Sequence, residues 1–253
     1  MARIICVASG KGGAGKTTTV SNLSAALAKL GKSVIAVDCN LTTSNLGIHF
    51  GVPTYPVTLQ DVLKKKAELQ DAMYYHPGGF RVVPADMSLS KSTIAASDRF
   101  LDVFYQLAYD AEFVLVDSAA GLGREAINAV KASDEMITVT NPELPALVDA
   151  LKLVRIADKN HTQNLGIVLN RVRGHSHEIS HREVESFLGM PIIGIVNEDT
   201  AVRKATAMKE PVVLQKPRSL AAKQFGTVAA RLIGRESRQI NPSPVHRLFG
   251  WLG

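Results

Sequence analysis

The sequence predicts a single α/β domain with a mostly parallel central sheet flanked by helices on both faces. Three observations carry that expectation. Short strand-like runs alternate with helical stretches along the chain. The strand runs are apolar at consecutive positions, as strands covered on both faces must be. A glycine-rich loop joins the first run to the first helix, in the manner of the βα units that build parallel sheets.

The elements follow in order. RIICVA (3–8) is the first strand, and a loop over residues 9–16 follows it. In TTVSNLSAALAKLG, Val20, Leu23, Ala26, Leu27 and Leu30 recur at helical spacing, and Gly31 closes the helix. SVIAVD (33–38) is the second strand. Later strands are FRVVP (80–84), EFVLVD (112–117), EMITVT (135–140), LGIVLN (165–170) and PIIGIV (191–196). Helices are expected near 97–109, 124–131, 144–158, 178–187 and 219–234. The lysines at 64–66 read as a solvated helix end. RESRQINPSP (235–244) is polar and contains proline, which divides the chain into a domain over 1–238 and a tail over 239–253.

Composition narrows the class. The hydrophobic fraction of 46% and charged fraction of 21% are those of a globular protein. No apolar run approaches the roughly 20 residues needed to span a bilayer. The N-terminal MARIICVAS is cut short by the loop at Gly10, unlike a signal peptide, so a cytoplasmic location is expected. Cys6 and Cys39 have no CxxC partner and read as buried thiols rather than a disulfide or cluster framework. The net charge of +6 is local: residues 201–253 hold ten basic and two acidic residues, leaving the first 200 slightly acidic. A basic region of this kind suits an anionic surface, phospholipid or nucleic acid.

The loop GKGGAGKTT (10–18) fits G-x-x-x-x-G-K-[ST] through Gly10, Gly15, Lys16 and Thr17. Glycines let backbone N–H groups turn toward phosphate oxygens without Cβ clashes, and the helix N-terminus adds its positive dipole end. Gly12, Gly13, Ala14, Gly15, Lys16, Thr17 and Thr18 are therefore the expected phosphate cradle. Lys16 reaches the terminal phosphates, and the Thr17 hydroxyl is available to magnesium. Lys11 is an additional lysine that this loop does not require, a mobile point charge at its mouth.

With Lys11 in place, GKGGAGKTT resembles the deviant Walker A loop of the MinD/ParA family of P-loop ATPases. The likeness continues in VDCNLTTSNLG (37–47), FVLVDSAAGLG (113–123), TNPE (140–143), LNRV (169–172) and GIVNEDTAVRKATAMKEPVV (194–213). These segments resemble, in order, the family's first switch, its Walker B strand with second switch, and the parts that hold the base. The resemblance implies ATP and ADP as ligands with Mg2+, and hydrolysis of ATP to ADP and phosphate. It implies that Lys11 reaches a partner's nucleotide across an ATP-bound homodimer. Thr17, Asp38 and Asp117 are implied for magnesium, Asp38 and Asn40 for the attacking water, and Asn170, Asn197, Glu198 and Asp199 for the base.

The match departs from the family at three positions. Asn40 stands where the family has a second acid. An amide orients water but cannot act as a carboxylate base, so slow turnover in need of a partner is expected, beside a variant of unchanged chemistry. Ala119 and Asn197 stand where the family has proline. His175 and His177 read as a polar loop rather than a metal pair, lacking a third ligand at helpful spacing. Arg124 and Glu125 fit either a dimer face or an exposed helix start.

The tail, PVHRLFGWLG, places Val245, Leu248, Phe249 and Leu252 on one helical face, with Arg247 off that face and Trp251 flanking it. This is the pattern of a short interfacial helix, marginal in water. It resembles the membrane-targeting end of the MinD branch, whereas packing back on the domain is the plainer alternative. The combined expectation is an ATP-dimerising ATPase, peripheral at the inner face of the cell membrane. It would position division or other surface machinery through an unidentified regulatory or cargo protein, with no sequence-specific nucleic acid. The rivals are a partition ATPase of the ParA kind that binds DNA non-specifically, and a slow nucleotide-gated scaffold.

Overall fold

Eight strands form one sheet in the computed structural model, which describes residues 2–52, 54–86 and 99–235. They are β1 (Arg3–Ala8), β2 (Val34–Cys39), β3 (Tyr74–His76), β4 (Phe80–Val83), β5 (Phe113–Ser118), β6 (Glu135–Thr140), β7 (Gln163–Val172) and β8 (Ile192–Asn197). Their order is β3-β4-β2-β5-β1-β6-β7-β8, and every pairing is parallel except β3 with β4. The chain fills one side of β1 first and then the other, so β1 ends at the switch point where α/β sheets bind ligands.

The doubly apolar strands do what their sequences require. In β1, Ile5 and Val7 enter the core on one face, and Ile4, Cys6 and Ala8 enter the core on the other. The first face is covered by α1 (Lys16–Lys29) and α10 (Leu220–Leu232), the second by α4 (Phe100–Leu107) and α5 (Arg124–Lys131). A third cluster joins α6 (Leu144–Lys159) and α7 (His181–Leu188) to β7 and β8. Local signals set the helix ends. Ser180 and Glu183 form a capping box at α7, and left-handed Gly189 ends it. Ser219 accepts from the Ala222 N–H at the start of α10.

Every predicted strand and helix is present, with ends shifted by a few residues. The lysines at 64–66 follow α3 (Leu59–Leu63), and Lys65 and Lys66 are exposed, as a solvated helix end should be. Cys6 and Cys39 are buried free thiols, and burial pushes Cys6 up to about 12. Five elements have no sequence counterpart. α2 (Leu46–His49), a 3-10 turn over Leu69–Ala72 and α9 (Val212–Gln215) are too short for a helical period to show. The edge strand β3 is short, aromatic and half-exposed, so it lacks the two-faced apolar signal. α8 (Thr200–Ala207) buries only Ala205 and so shows no apolar stripe. The tail residues Val245, Arg247, Leu248, Phe249, Trp251 and Leu252 lie outside the described residues. Among the described residues no helix is long and apolar enough to cross a membrane.

Candidate nucleotide site

The loop after β1 wraps the N-terminus of α1. Gly10 passes so close to α6 that a Cβ there would sit 2.3 Å from the Asp149 Cβ. Gly15 takes φ 102 as the residue before the helix, and an added Cβ would meet the Asn170 amide at 2.1 Å. The Asp149 backbone fixes glycine at position 10, and the positive φ fixes it at position 15. The loop and α1 border a cavity of about 390 Å³, lined by Gly12, Gly13, Gly15, Lys16, Thr17 and Thr18. Asn40 and Ala120 from the two switch segments close it.

Charge is concentrated at the back of this cavity. Asp38 and Asp117 are register partners on adjacent β2 and β5, and both are essentially buried. Lys16 is 7% exposed and donates to the Ser9 hydroxyl at 3.1 Å. Burial lowers its pKa, against the opposing charge of Asp117. The Thr17 hydroxyl donates to Asp117 Oδ2 at 2.7 Å, while Asp117 Oδ1 is buried without a hydrogen bond. Burial, and then the charge of Asp38, push Asp117 up to about 7. An orphaned buried carboxylate oxygen is costly unless a ligand completes it. A hydroxyl and a carboxylate at a phosphate cavity are the hard oxygen donors that magnesium takes, directly or through its waters. Thr17 and Asp117 therefore fit the metal.

The first switch is arranged differently. Asp38 accepts from the Asn40 N–H at 3.0 Å, the Ser44 hydroxyl at 2.7 Å and the Leu46 N–H at 3.1 Å. Burial still raises it to about 6. Asn40 donates from Nδ2 to the Thr43 carbonyl at 2.6 Å, and its Oδ1 accepts from the Thr43 hydroxyl at 3.0 Å. In this state both residues are held by their own loop. Ser44, which also donates to the Ala85 carbonyl, is a member of the site that sequence reasoning missed. Nothing in the local sequence marks it.

Lys11 is directed elsewhere. Its amino group pairs with Glu143 at 2.9 Å and lines a second cavity of about 480 Å³ beside the loop. That cavity also takes in Arg171, Arg173, His175 and His177. The two imidazoles stack 5.1 Å apart. Among the described residues no group of three or more His, Cys, Asp or Glu is placed to hold a metal ion. Arg124 and Glu125 open α5. Arg124 is exposed, and Glu125 accepts from the Thr42 hydroxyl at 2.7 Å, joining that helix to the first switch.

The expected base side is a smaller recess lined by Gly15, Thr18, Asn170, Asn197, Glu198 and Asp199. Here most polar groups are held by backbone or neighbouring side chains, though Glu198 Oε2 is buried without a hydrogen bond. Asn170 donates to the Ala14 carbonyl at 2.8 Å, and Ala14 itself is buried. Asn197 accepts from Gln224 at 2.6 Å and donates to the Val172 carbonyl at 3.2 Å. Asp199 caps α8 through the Ala201 N–H at 2.8 Å and accepts from the Ala221 N–H at 3.2 Å. Glu198 lies between Arg171 at 3.9 Å and Arg203 at 3.7 Å. Arg171, missed from sequence, lines all three spaces and has φ 57 at a register shift of β7, a conformation no residue pattern announces.

Comparison with known proteins agrees with this geometry. Residues 5–212 match the CobQ/CobB/MinD/ParA nucleotide binding domain. An uncharacterised ATP-binding protein of Methanocaldococcus jannaschii is 42% identical over 92% of this chain and 89% of its own. The cell division ATPase MinD of Pyrococcus furiosus superposes with TM-score 0.89 at 36% identity, over 92% of this chain and 99% of that one. The septum site-determining protein MinD of Pyrococcus horikoshii, solved with Mg-ADP, gives TM-score 0.88 at 35% identity, over 92% and 96%.

Proposed function

This chain belongs to the CobQ/CobB/MinD/ParA nucleotide-binding family, with ATP or ADP and Mg2+ as its ligands, and we propose that it is a MinD-like ATPase switching between solution and membrane. In this reading it dimerises on ATP, binds the inner face of the membrane through its tail, and is released by hydrolysis. Its work is positional, placing division or other surface machinery through a regulatory or cargo protein.

The observation that carries the reading is the division of labour between the two loop lysines. Lys16 is buried beside the paired aspartates, whereas Lys11 leaves its own phosphate cavity for the flank and is held there by Glu143. A charge held on the flank is suited to a nucleotide in a facing copy.

In the proposed mechanism Lys16 and the loop amides hold the phosphates. Thr17 and Asp117 would hold magnesium, which when bound offsets phosphate charge. Asp38 and Asn40 orient the water once the first switch releases them from Thr43 and Ser44. Asn170, Asn197, Glu198 and Asp199 wall the base. One short amphipathic tail binds lipid weakly, but two tails in a dimer make the second contact intramolecular, raising affinity by roughly 10²–10⁴.

Co-sedimentation with anionic vesicles tests this directly, comparing ATP with ADP, the full chain with a 1–241 truncation, and naked DNA as a parallel bait. ATP-dependent pelleting that vanishes on truncation and in Lys11→Ala is expected. Salt-sensitive DNA binding without lipid binding would instead move the protein to the partition class. Dimers that form on ATP with no phosphate release over many hours would make it a scaffold.

A further inference from the structure

β1 ends at the nucleotide loop, and at its other end an apolar cleft opens beside α4. The cleft is a cavity of about 470 Å³, bordered by Ala2, Ile4, Leu101, Tyr105, Tyr109 and Asp134. Leu101, Tyr105 and Tyr109 are 62%, 60% and 70% exposed. Contiguous exposed apolar side chains of this size mark binding surfaces more often than they mark idle surface.

The described chain finishes at the same end of β1 as this cleft, on the opposite face of the sheet. α10 ends at Leu232, whose carbonyl accepts from the Arg3 guanidinium. Arg3 is anchored in turn by Glu135 at 2.8 Å and lies over the Phe113 ring. Its chain neighbours, Ala2 and Ile4, border the cleft. From Arg235 to Val245 the chain spans up to about 33 Å when extended, enough to round the end of the sheet to its other face, since packed layers lie about 10 Å apart.

We propose that the cleft beside α4 is the docking site for the chain's own segment 245–252. The apolar face of Val245, Leu248, Phe249 and Leu252 would be covered there whenever it is not in a membrane. The chemistry matches on both counts. The segment supplies apolar anchors, with Arg247 as a cation and no acid. The cleft is apolar with Asp134 at its border, and exposed Asp102 and Asp110 belong to or follow α4. Tethering makes the contact intramolecular, at an effective concentration on the order of millimolar, so a contact too weak to hold a free partner is populated. A second copy is disfavoured because a stable dimer buries about 800 Å² on each side, more than this cleft offers. Competition with lipid rests on the membrane reading above; docking itself does not.

Trp251 is the only tryptophan of the chain, so its fluorescence reports the segment without a label. In the full chain without nucleotide or lipid, a blue-shifted emission protected from acrylamide is expected. Leu101→Glu with Tyr105→Glu should shift it to the red. The same variant in ADP should bind vesicles of 70:30 phosphatidylcholine and phosphatidylglycerol about fivefold more tightly, because the competing docked state is removed. Phe249→Ser should give the same red shift from the tail side and add nothing to the cleft variant. Tyr109→Lys, at a more exposed position, replaces the double variant if that loses a cooperative melt. A water-like emission in the unmodified chain, or a blue-shifted one that ignores cleft substitutions, overturns the proposal. Vesicle binding with no emission shift leaves the membrane reading intact and removes docking. An emission shift without any vesicle binding does the reverse.

Discussion

The proposed phosphate side and base side of the candidate nucleotide site are built from similar polar residues but are satisfied to different degrees. On the phosphate side, Asp117 Oδ1 has no hydrogen bond and Lys16 makes one, to Ser9. On the base side, Asn170, Asn197 and Asp199 are occupied by the Ala14 carbonyl, Gln224, and the α8 and α10 amides. A buried polar group without a partner lowers stability until a ligand supplies one, whereas an internally bonded group contributes to stability whether or not ligand is present. The first side is therefore poised to bind, and the second is largely a wall that the fold itself maintains, open only at Glu198 Oε2, which is buried without a hydrogen bond.

The contrast is broken most easily at Lys16. Lys16→Ala should lower single-turnover ATP hydrolysis by roughly 10²–10³-fold, the effect of removing one preorganised electrostatic donor. A loss of less than a few-fold in a quenched-flow assay would place the essential charge elsewhere. Asp117→Asn should weaken Mg2+ affinity by about 10–100-fold, read by magnesium titration of nucleotide binding.

The same substitution sharpens the contrast through pH. Burial pushes Asp38 up to about 6, and burial together with the charge of Asp38 pushes Asp117 up to about 7, whereas unfolded carboxylates titrate at ~4. Between these limits the folded chain binds more protons, so the contribution of the pair to stability is present at low pH and is lost as pH rises toward 7. Burial pushes His49 down to about 4, which acts in the opposite direction, so the test is a difference. The melting temperature of Asp117→Asn relative to the unmodified chain should increase from pH 5 to pH 8. Parallel profiles would show that Asp117 does not carry the effect.

Asn40→Asp should raise single-turnover hydrolysis about tenfold by restoring a carboxylate near the water, a modest part of what a positioned base supplies. A wild-type rate equal to or above the variant's would make Asn40 competent as it stands. The smallest nucleotide effect belongs to the wall. Asp199→Ala should cost about 1 kcal/mol of stability through lost capping of α8 while changing ATP affinity less than about twofold. A large affinity loss with an unchanged melt would make Asp199 a ligand contact rather than a support.

The parallel sheet was legible because two-faced burial leaves an unmistakable pattern, seen in VIAVDC and FVLVDS, where every residue is buried. The phosphate loop was equally legible, since glycine, lysine and threonine at fixed spacing each answer a local requirement of the chain or its ligand. β3 and α8 were not, because a half-exposed edge strand and a helix with one buried residue obey weaker rules. Ser44 and Arg171 were missed for a different reason. Their roles depend on Ala85, Asp38 and Glu198, which are distant along the chain or linked to them only through folding.

The sequence by itself determined the fold class, the order of its strands and helices, the phosphate loop with Lys16 and Thr17, and the two strand-end aspartates. The fold and the loop follow from periodicity and from chemistry confined to a few neighbouring residues, and the two aspartates from the resemblance to the MinD/ParA family. Only the tertiary structure decided that Asp38 and Asp117 lie side by side, that Lys11 pairs with Glu143 away from its own cavity, and that Asn197 and Asp199 are bonded to α10 or its start. Each of these depends on groups between 20 and about 130 residues apart, and long-range contacts of that kind are set by packing the whole sheet and its helices.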